Sequence, residues 1–156
     1  MSTTERLSNV TETHLGDGTR SDRGRLVVFE GPSQVGKTTV SRELVNALSG
    51  GDRSCEWHAF PGQFSGTLGK HIYELHHRPA SFGLAEIAPS AIQALHVAAH
   101  LDAIERTILP KLAAGVDIVL DRYWWSTIAY GVATGVPKQL LDSLVASELI
   151  AWSGLQ

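Results

Sequence analysis

The chain has 156 residues, of which 43% are hydrophobic and 19% charged, and its net charge is −3. This length suits one domain, and this composition is typical of a folded chain rather than a disordered one. The chain is slightly acidic, whereas nucleic-acid binding needs a basic patch, so we expect small-molecule partners and no nucleic acid. The single cysteine excludes an internal disulfide. No apolar run reaches the ~18 residues of a membrane span and the first residues are polar, so we expect a cytoplasmic protein without a membrane partner.

The first third of the chain predicts a leader, a strand and a helix. Residues 1–24 are polar and carry charges of both signs, which is typical of a flexible leader, with a regulatory tail as the alternative. Residues 26–29 are apolar and partly β-branched, and they predict a buried parallel strand. Apolar residues then recur at helical spacing from residue 40 to residue 48, and Gly50-Gly51 ends this helix.

The rest of the chain alternates strands with helices. A second strand is predicted at residues 55–60 and a third at residues 116–120. Between them, a short helix over residues 68–77 is followed by a long helical pattern over residues 90–114, in which Pro110 predicts a kink or an early end. Two helices, over about residues 124–134 and 137–152, complete the pattern. This alternation predicts an α/β fold with a parallel sheet and right-handed crossovers.

The motif G-x-x-x-x-G-K-[ST] lies between the first predicted strand and the first predicted helix, at residues 31–38. In that context it predicts a P-loop, in which inward-pointing N–H groups and a helix N-terminus bind phosphates. Lys37 would reach the β- and γ-phosphates of ATP, and Thr38 would offer its hydroxyl to Mg²⁺. The alternative is a glycine-rich turn without a ligand. The predicted phosphate-binding residues are Gly31, Gln34, Val35, Gly36, Lys37, Thr38 and Thr39.

Asp121 and Arg122 follow the third predicted strand, at the sheet edge where open α/β sheets place ligands. Asp121 is predicted to bind Mg²⁺ together with Thr38, directly or through water; its alternative role is to cap the next helix. Arg122 is predicted to bind a phosphate through its guanidinium fork; its alternative is an ion pair. With Lys37, these two residues make up the predicted catalytic set.

Several segments together resemble the thymidylate kinases, which are P-loop nucleoside-monophosphate kinases. The resemblance covers about residues 25–135 and is carried by Val28-Phe29-Glu30-Gly31, Gly36-Lys37-Thr38-Thr39, Phe60-Pro61-Gly62 and Asp121-Arg122-Tyr123 with Ser126 and Tyr130. It implies a three-layer α/β/α P-loop NTPase fold and phosphoryl transfer from ATP, with Mg²⁺, to a nucleoside monophosphate, most simply dTMP to dTDP. It also implies a homodimer formed through helices.

The resemblance also implies an acceptor site. Arg122 would hold the acceptor's phosphate, and the site would also be lined by Ser33, Phe60, Ser126 and Tyr130. Four residues of the long helix would face the base: Gln93, His96, Val97 and His100. The family usually has Asp where Ser33 stands and Arg near the place of Ala59. It usually has an aromatic residue and an arginine where Val97 and Leu101 stand. His96 or His100 could take over recognition of the base, or the base could differ from thymine.

Other interpretations remain open at this stage. A deoxynucleoside kinase has a similar P-loop but usually Glu-Arg-Ser instead of Asp121-Arg122-Tyr123, and a P-loop module that binds nucleotides without turnover is a third class of function. His96 and His100, four residues apart, share a helix face and could bind zinc, although no third ligand is evident. Family members continue to a fourth strand, an arginine-bearing lid and a fifth strand. We therefore expect about three strands here, from a C-terminally truncated kinase domain spanning residues 25–156. The alternative is that a partner or self-association covers the strand edge that the missing fourth strand would leave open.

Overall fold

Three parallel strands form the sheet: β1 (Leu26–Phe29), β2 (Cys55–Ala59) and β3 (Asp117–Asp121). The computed structural model describes residues 23–51, 53–62, 64 and 66–153. Strand β3 lies between the other two, in the order β1-β3-β2. The three predicted strands are therefore confirmed, each within one residue at its ends. Residues 1–22 of the predicted leader lie outside the described residues, and the Gly24 N–H donates to the Leu112 carbonyl at 2.7 Å.

The helices follow the predicted alternation. They are α1 (Lys37–Leu48), α2 (Leu68–His77), α3 (Pro89–Ala103), α4 (Leu109–Ala113), α5 (Trp124–Ala133) and α6 (Lys138–Trp152), with a 3₁₀ turn at Pro79–Phe82. Helix α2 has the predicted bounds. In the part of the chain that the structure describes, no helix is long and apolar enough to cross a membrane.

The long helical pattern does not end early at Pro110, because a π-helical segment, Ile104–Ile108, joins α3 to α4. Proline lacks the N–H that a regular helix uses, and its ring crowds the preceding turn. The π-helical segment, whose turns are wider than those of an α-helix, ends two residues before Pro110. A π-helical turn pairs each carbonyl with the N–H five residues on, so it holds one residue more than an α-helical register would. The insertion of one residue rotates the faces of α3 by about 100° relative to α4.

Helices cover both faces of the sheet. All five residues of β3 are buried, as expected for the central strand of a parallel sheet. Ile118 and Leu120 pack in one core cluster with Ile104 and Ile108 of the π-helical segment. On the opposite face, Trp57 of β2 lies level with Val119, and its indole N–H donates to Ser41 Oγ of α1 at 2.8 Å. The three-layer α/β/α arrangement is therefore confirmed around the three described strands.

The parallel register brings the carboxyl ends of all three strands to one edge of the sheet. Phe29 of β1 and Ala59 of β2 both lie level with Asp121 of β3. The P-loop follows Phe29, the Phe60-Pro61 turn follows Ala59, and Arg122 follows Asp121. The segments that the sequence singled out for chemistry therefore meet at this edge.

Candidate active site

The P-loop connects β1 to the N-terminus of α1. Gly36, at φ 88°, is the residue before the helix, and Gly31 is also at positive φ, which a side chain would disfavour. Gln34 adopts a left-handed conformation, φ 66°, although it is not glycine. The Lys37 Nζ donates to the Pro32 carbonyl, so this side chain lies back across the loop. The predicted phosphate cradle thus combines residues at positive φ with a helix N-terminus, an arrangement typical of anion-binding loops.

Thr38 and Asp121, the two predicted magnesium ligands, are in direct contact. The Thr38 hydroxyl donates to Asp121 Oδ2, although the residues lie 83 positions apart in the chain. A hydroxyl and a carboxylate are hard oxygen ligands, and together they suit Mg²⁺ bound through few protein groups. The donor set therefore fits the ion that the sequence predicts.

Arg122 lies where β3 ends and points its guanidinium at the P-loop. Its backbone is left-handed, φ 77°, and its N–H donates to the Phe29 carbonyl at 2.9 Å. The guanidinium donates to Ser33 Oγ and Ser126 Oγ, both at 3.2 Å. Among the described residues it forms no ion pair with a carboxylate. Its charge is therefore available to an anion, and a backbone held in this costly conformation is typical of functional sites.

Glu30 has a structural role at the site that the sequence did not predict. Its carboxylate accepts hydrogen bonds from the N–H groups of Tyr123 and Ser126, at 2.7 and 3.1 Å, and from the Ser126 hydroxyl at 2.8 Å. It therefore caps the N-terminus of α5, the role that was the alternative for Asp121. Because the Ser126 hydroxyl also accepts from Arg122, Glu30 holds the arginine's partner in position.

A cavity of about 460 Å³ lies between the P-loop, α2, α3 and α5. Seven of the eight predicted acceptor residues line it: Ser33, Phe60, His96, His100, Arg122, Ser126 and Tyr130. Val97 does not line it, because this side chain is only 2% exposed and lies in the core. Gln93, which the resemblance places facing the base, also lines the cavity. The other lining residues had no predicted role at the acceptor site: Pro61, Gly62, Gly69, Tyr73, His76, His77, Tyr123 and Thr127.

Hydrogen bonds tie the phosphate end of this cavity together. The Ser33 and Tyr130 hydroxyl oxygens lie 3.3 Å apart, and the Arg122 guanidinium carbon is 5.8 Å from the centre of the Tyr130 ring. The hydrogen bond with Ser33, helped by the charges of Arg122 and Lys37, lowers the pKa of the Tyr130 hydroxyl. Both cations therefore act on the same small volume next to the P-loop.

Histidines line the other end of the cavity. His100 stacks on Phe60 with ring centres 4.5 Å apart, and its Nδ1 lies 2.6 Å from Glu148 Oε1 of α6. His96 Nε2 lies 3.0 Å from His76 Nδ1. Burial, together with the neighbouring imidazoles, lowers the pKa of His96 to about 4, so this ring is neutral near pH 7. No group of three or more potential metal ligands occurs among the described residues.

The chain is similar in sequence to proteins of one family, the thymidylate kinases. The family model described as thymidylate kinase matches residues 29–148. A thymidylate kinase of Caenorhabditis elegans is 32% identical over 136 residues, which cover 80% of this chain and 58% of that protein. One of Pelodictyon phaeoclathratiforme is 34% identical over 122 residues, covering 78% of this chain and 54% of the relative. The chain thus spans somewhat more than half the length of these relatives.

Solved structures give the same result for the fold. The thymidylate kinase of Candida albicans superposes with a TM-score of 0.60 at 27% identity, covering 83% of this chain and 57% of that one. The thymidylate kinase of Ehrlichia chaffeensis has a TM-score of 0.63 at 24% identity, covering 80% of this chain and 64% of that structure.

Proposed function

The chain belongs to the thymidylate kinase family, and we propose that it transfers the γ-phosphoryl group of ATP to a nucleoside monophosphate, converting dTMP to dTDP. The observation that carries this proposal is the position of Arg122. Its guanidinium contacts both the P-loop, at Ser33, and the wall of the adjoining cavity, at Ser126. A phosphate bound there would lie beside the phosphates held by the P-loop, as transfer between two phosphates requires.

The protein's part in this reaction is to position two anions and to offset their charge. The P-loop N–H groups and Lys37 would hold the β- and γ-phosphates of ATP. Arg122 would bind the acceptor's phosphate and keep it from moving away. When bound, Mg²⁺ supplies further neutralisation of the charge on the transferred group, and Thr38 and Asp121 are the residues that would hold it.

The test is a coupled assay for ADP release with Mg-ATP and a panel of nucleoside monophosphates and nucleosides. We expect turnover with dTMP and none with thymidine. Lys37→Ala should lower kcat at least a hundredfold, because the transferred group loses its nearest cation. Lys138→Ala is the matched control and should behave as the wild type, since Lys138 is exposed and, among the described residues, its ammonium pairs with Asp142 alone, one turn along α6.

Each other outcome has its own meaning. Turnover that survives Lys37→Ala would overturn the assignment of the phosphate site. Turnover of nucleosides instead of monophosphates would favour the deoxynucleoside kinase, and tight binding of both nucleotides without turnover would favour the non-catalytic module. We also propose that the protein is cytoplasmic and forms a homodimer, as the family resemblance implies. Gel filtration at micromolar concentration tests whether it is a dimer.

A further inference from the structure

Helix α6 is linked to the acceptor cavity through one buried polar contact. Oε1 of Glu148, on α6, lies 2.6 Å from Nδ1 of His100, on α3. The Glu148 side chain is fully buried, and the His100 side chain is 6% exposed. His100 lines the cavity, so the carboxylate stands behind a residue of the cavity wall.

The chemistry of the two groups fixes the direction of this hydrogen bond. An ionised carboxylate only accepts hydrogen bonds, so Nδ1 of His100 carries the proton and donates it to Glu148. The same ring is stacked on Phe60, with ring centres 4.5 Å apart. The hydrogen bond that one ring nitrogen makes decides which nitrogen is left for other partners. His100 therefore has one remaining polar atom, Nε2, for a ligand in the cavity.

This contact is a costly way to hold two helices together. Glu148 Oε2 has no hydrogen-bond partner among the described residues, although buried polar atoms are nearly always paired. Burying a carboxylate with one oxygen unpaired costs free energy, and replacing a buried ionisable pair by apolar side chains is often neutral or stabilising. The packing of α3 against α6 therefore does not explain a glutamate at this position, whereas the orientation of a ring in the cavity does.

We propose that Glu148 is a positioning residue for the acceptor site. It holds the His100 ring with Nδ1 toward α6, so that Nε2 meets the acceptor nucleotide at the end of the cavity away from Arg122. Glu148 itself touches no substrate and acts through His100. This role rests on the proposed function, because it requires an acceptor nucleotide in the cavity.

Nitrogen-15 NMR of the histidine rings reads the position of the proton directly and needs no nucleotide. In the wild-type chain we expect a proton on His100 Nδ1 at pH 7. Glu148→Gln keeps an acceptor oxygen, so the proton should stay on Nδ1. Glu148→Leu removes the acceptor and keeps a side chain of similar size, so both tautomers should appear. A wild-type Nδ1 without a proton, or unchanged His100 nitrogens in Glu148→Leu, would overturn the proposal.

Isothermal titration calorimetry then connects the ring to the ligand. The dTMP Kd should rise about tenfold in Glu148→Leu, the usual effect of losing one neutral hydrogen bond, and should stay within about threefold of the wild type in Glu148→Gln. The Kd of Mg-ATP should be unchanged in both variants, because neither Glu148 nor His100 belongs to the P-loop. Glu105→Leu, on the exposed side of the π-helical segment, is the matched control and should change neither Kd.

A double variant separates positioning from a loss of structure. Glu148→Leu combined with His100→Phe removes the polar pair and keeps apolar packing, so its Tm should be at least that of the wild type. Its dTMP Kd should nevertheless rise about tenfold or more. If the folded double variant binds dTMP as the wild type does, the proposal is overturned. An equal loss of affinity for dTMP and Mg-ATP in Glu148→Leu would also overturn it, because that result indicates a general loss of structure.

The two proposals fail in different ways. A wild-type chain that binds dTMP without turnover refutes the proposed function alone. If the wild type turns over dTMP and Glu148→Leu binds it equally well, the positioning role alone is refuted. A folded wild-type chain that binds no dTMP overturns both.

Discussion

Replacing Glu30 with alanine tests whether one carboxylate holds the start of α5. Glu30 accepts three hydrogen bonds, from the N–H groups of Tyr123 and Ser126 and from the Ser126 hydroxyl. A hydrogen bond to a charged group contributes about 1.5–3 kcal/mol to stability. The three share one carboxylate, and the freed N–H groups can bind water at a helix terminus, so the sum is reduced. We expect Glu30→Ala to lower the free energy of unfolding by about 2–4 kcal/mol.

The assay is urea unfolding at pH 7, followed by circular dichroism, with the slope m compared between variants. Glu30→Gln keeps one acceptor oxygen for the two N–H groups, and its amide can donate to the Ser126 hydroxyl, so it should cost only about 1 kcal/mol. Glu43→Ala, on the exposed side of α1, controls for the loss of a surface carboxylate. If Glu30→Ala costs no more than Glu43→Ala, the capping role is wrong.

The same variant should also weaken the acceptor site, because Ser126 is shared. Its hydroxyl donates to Glu30 and accepts from Arg122. Without the carboxylate, nothing holds this hydroxyl toward the arginine. Under the proposed function we expect a higher KM for dTMP with an unchanged KM for ATP. Equal changes in both would contradict a local effect and would indicate a general loss of structure.

Two further predictions concern packing and pH. At Gly131 of α5, a Cβ atom would lie 2.4 Å from Leu141 Cδ2, so Gly131→Ala should cost about 1–3 kcal/mol by overpacking; an unchanged Tm would contradict this. The pKa of His96 falls from 6.5 to about 4 in the folded chain, so the unfolded chain binds more protons between those values. The contribution of His96 to the free energy of unfolding should therefore be fully present above pH 6.5 and should fall as the pH drops toward 4. His96→Gln should make the free energy of unfolding depend less on pH in this range. If an NMR titration of the folded chain gives His96 a pKa near 6.5, the prediction is refuted.

The sequence predicts the P-loop and the three strands well, because their signals are local. A short apolar run, a glycine spacing and a lysine stand next to each other in the chain, and their geometry follows from neighbouring residues. Glu30 has no such signal. Its partners Tyr123 and Ser126 lie 93 and 96 residues away in the chain. A single glutamate after a strand is common on protein surfaces, so by itself it indicates no structural role. Only the parallel pairing of β1 with β3, which places Phe29 level with Asp121, brings these groups together.

The side of α3 that faces the cavity could be predicted only in part. The resemblance places four residues of this helix at the base, and three of them line the cavity, namely Gln93, His96 and His100, while Val97 is buried in the core. Residues 96 and 97 are adjacent, so their side chains point about 100° apart around the helix and do not face the same wall. Pro110 predicts a disturbance of the long helix but not its form, a π-helical segment. Which of two adjacent residues lines the cavity therefore depends on how α3 packs against α2, α5 and α6, which its own sequence does not specify.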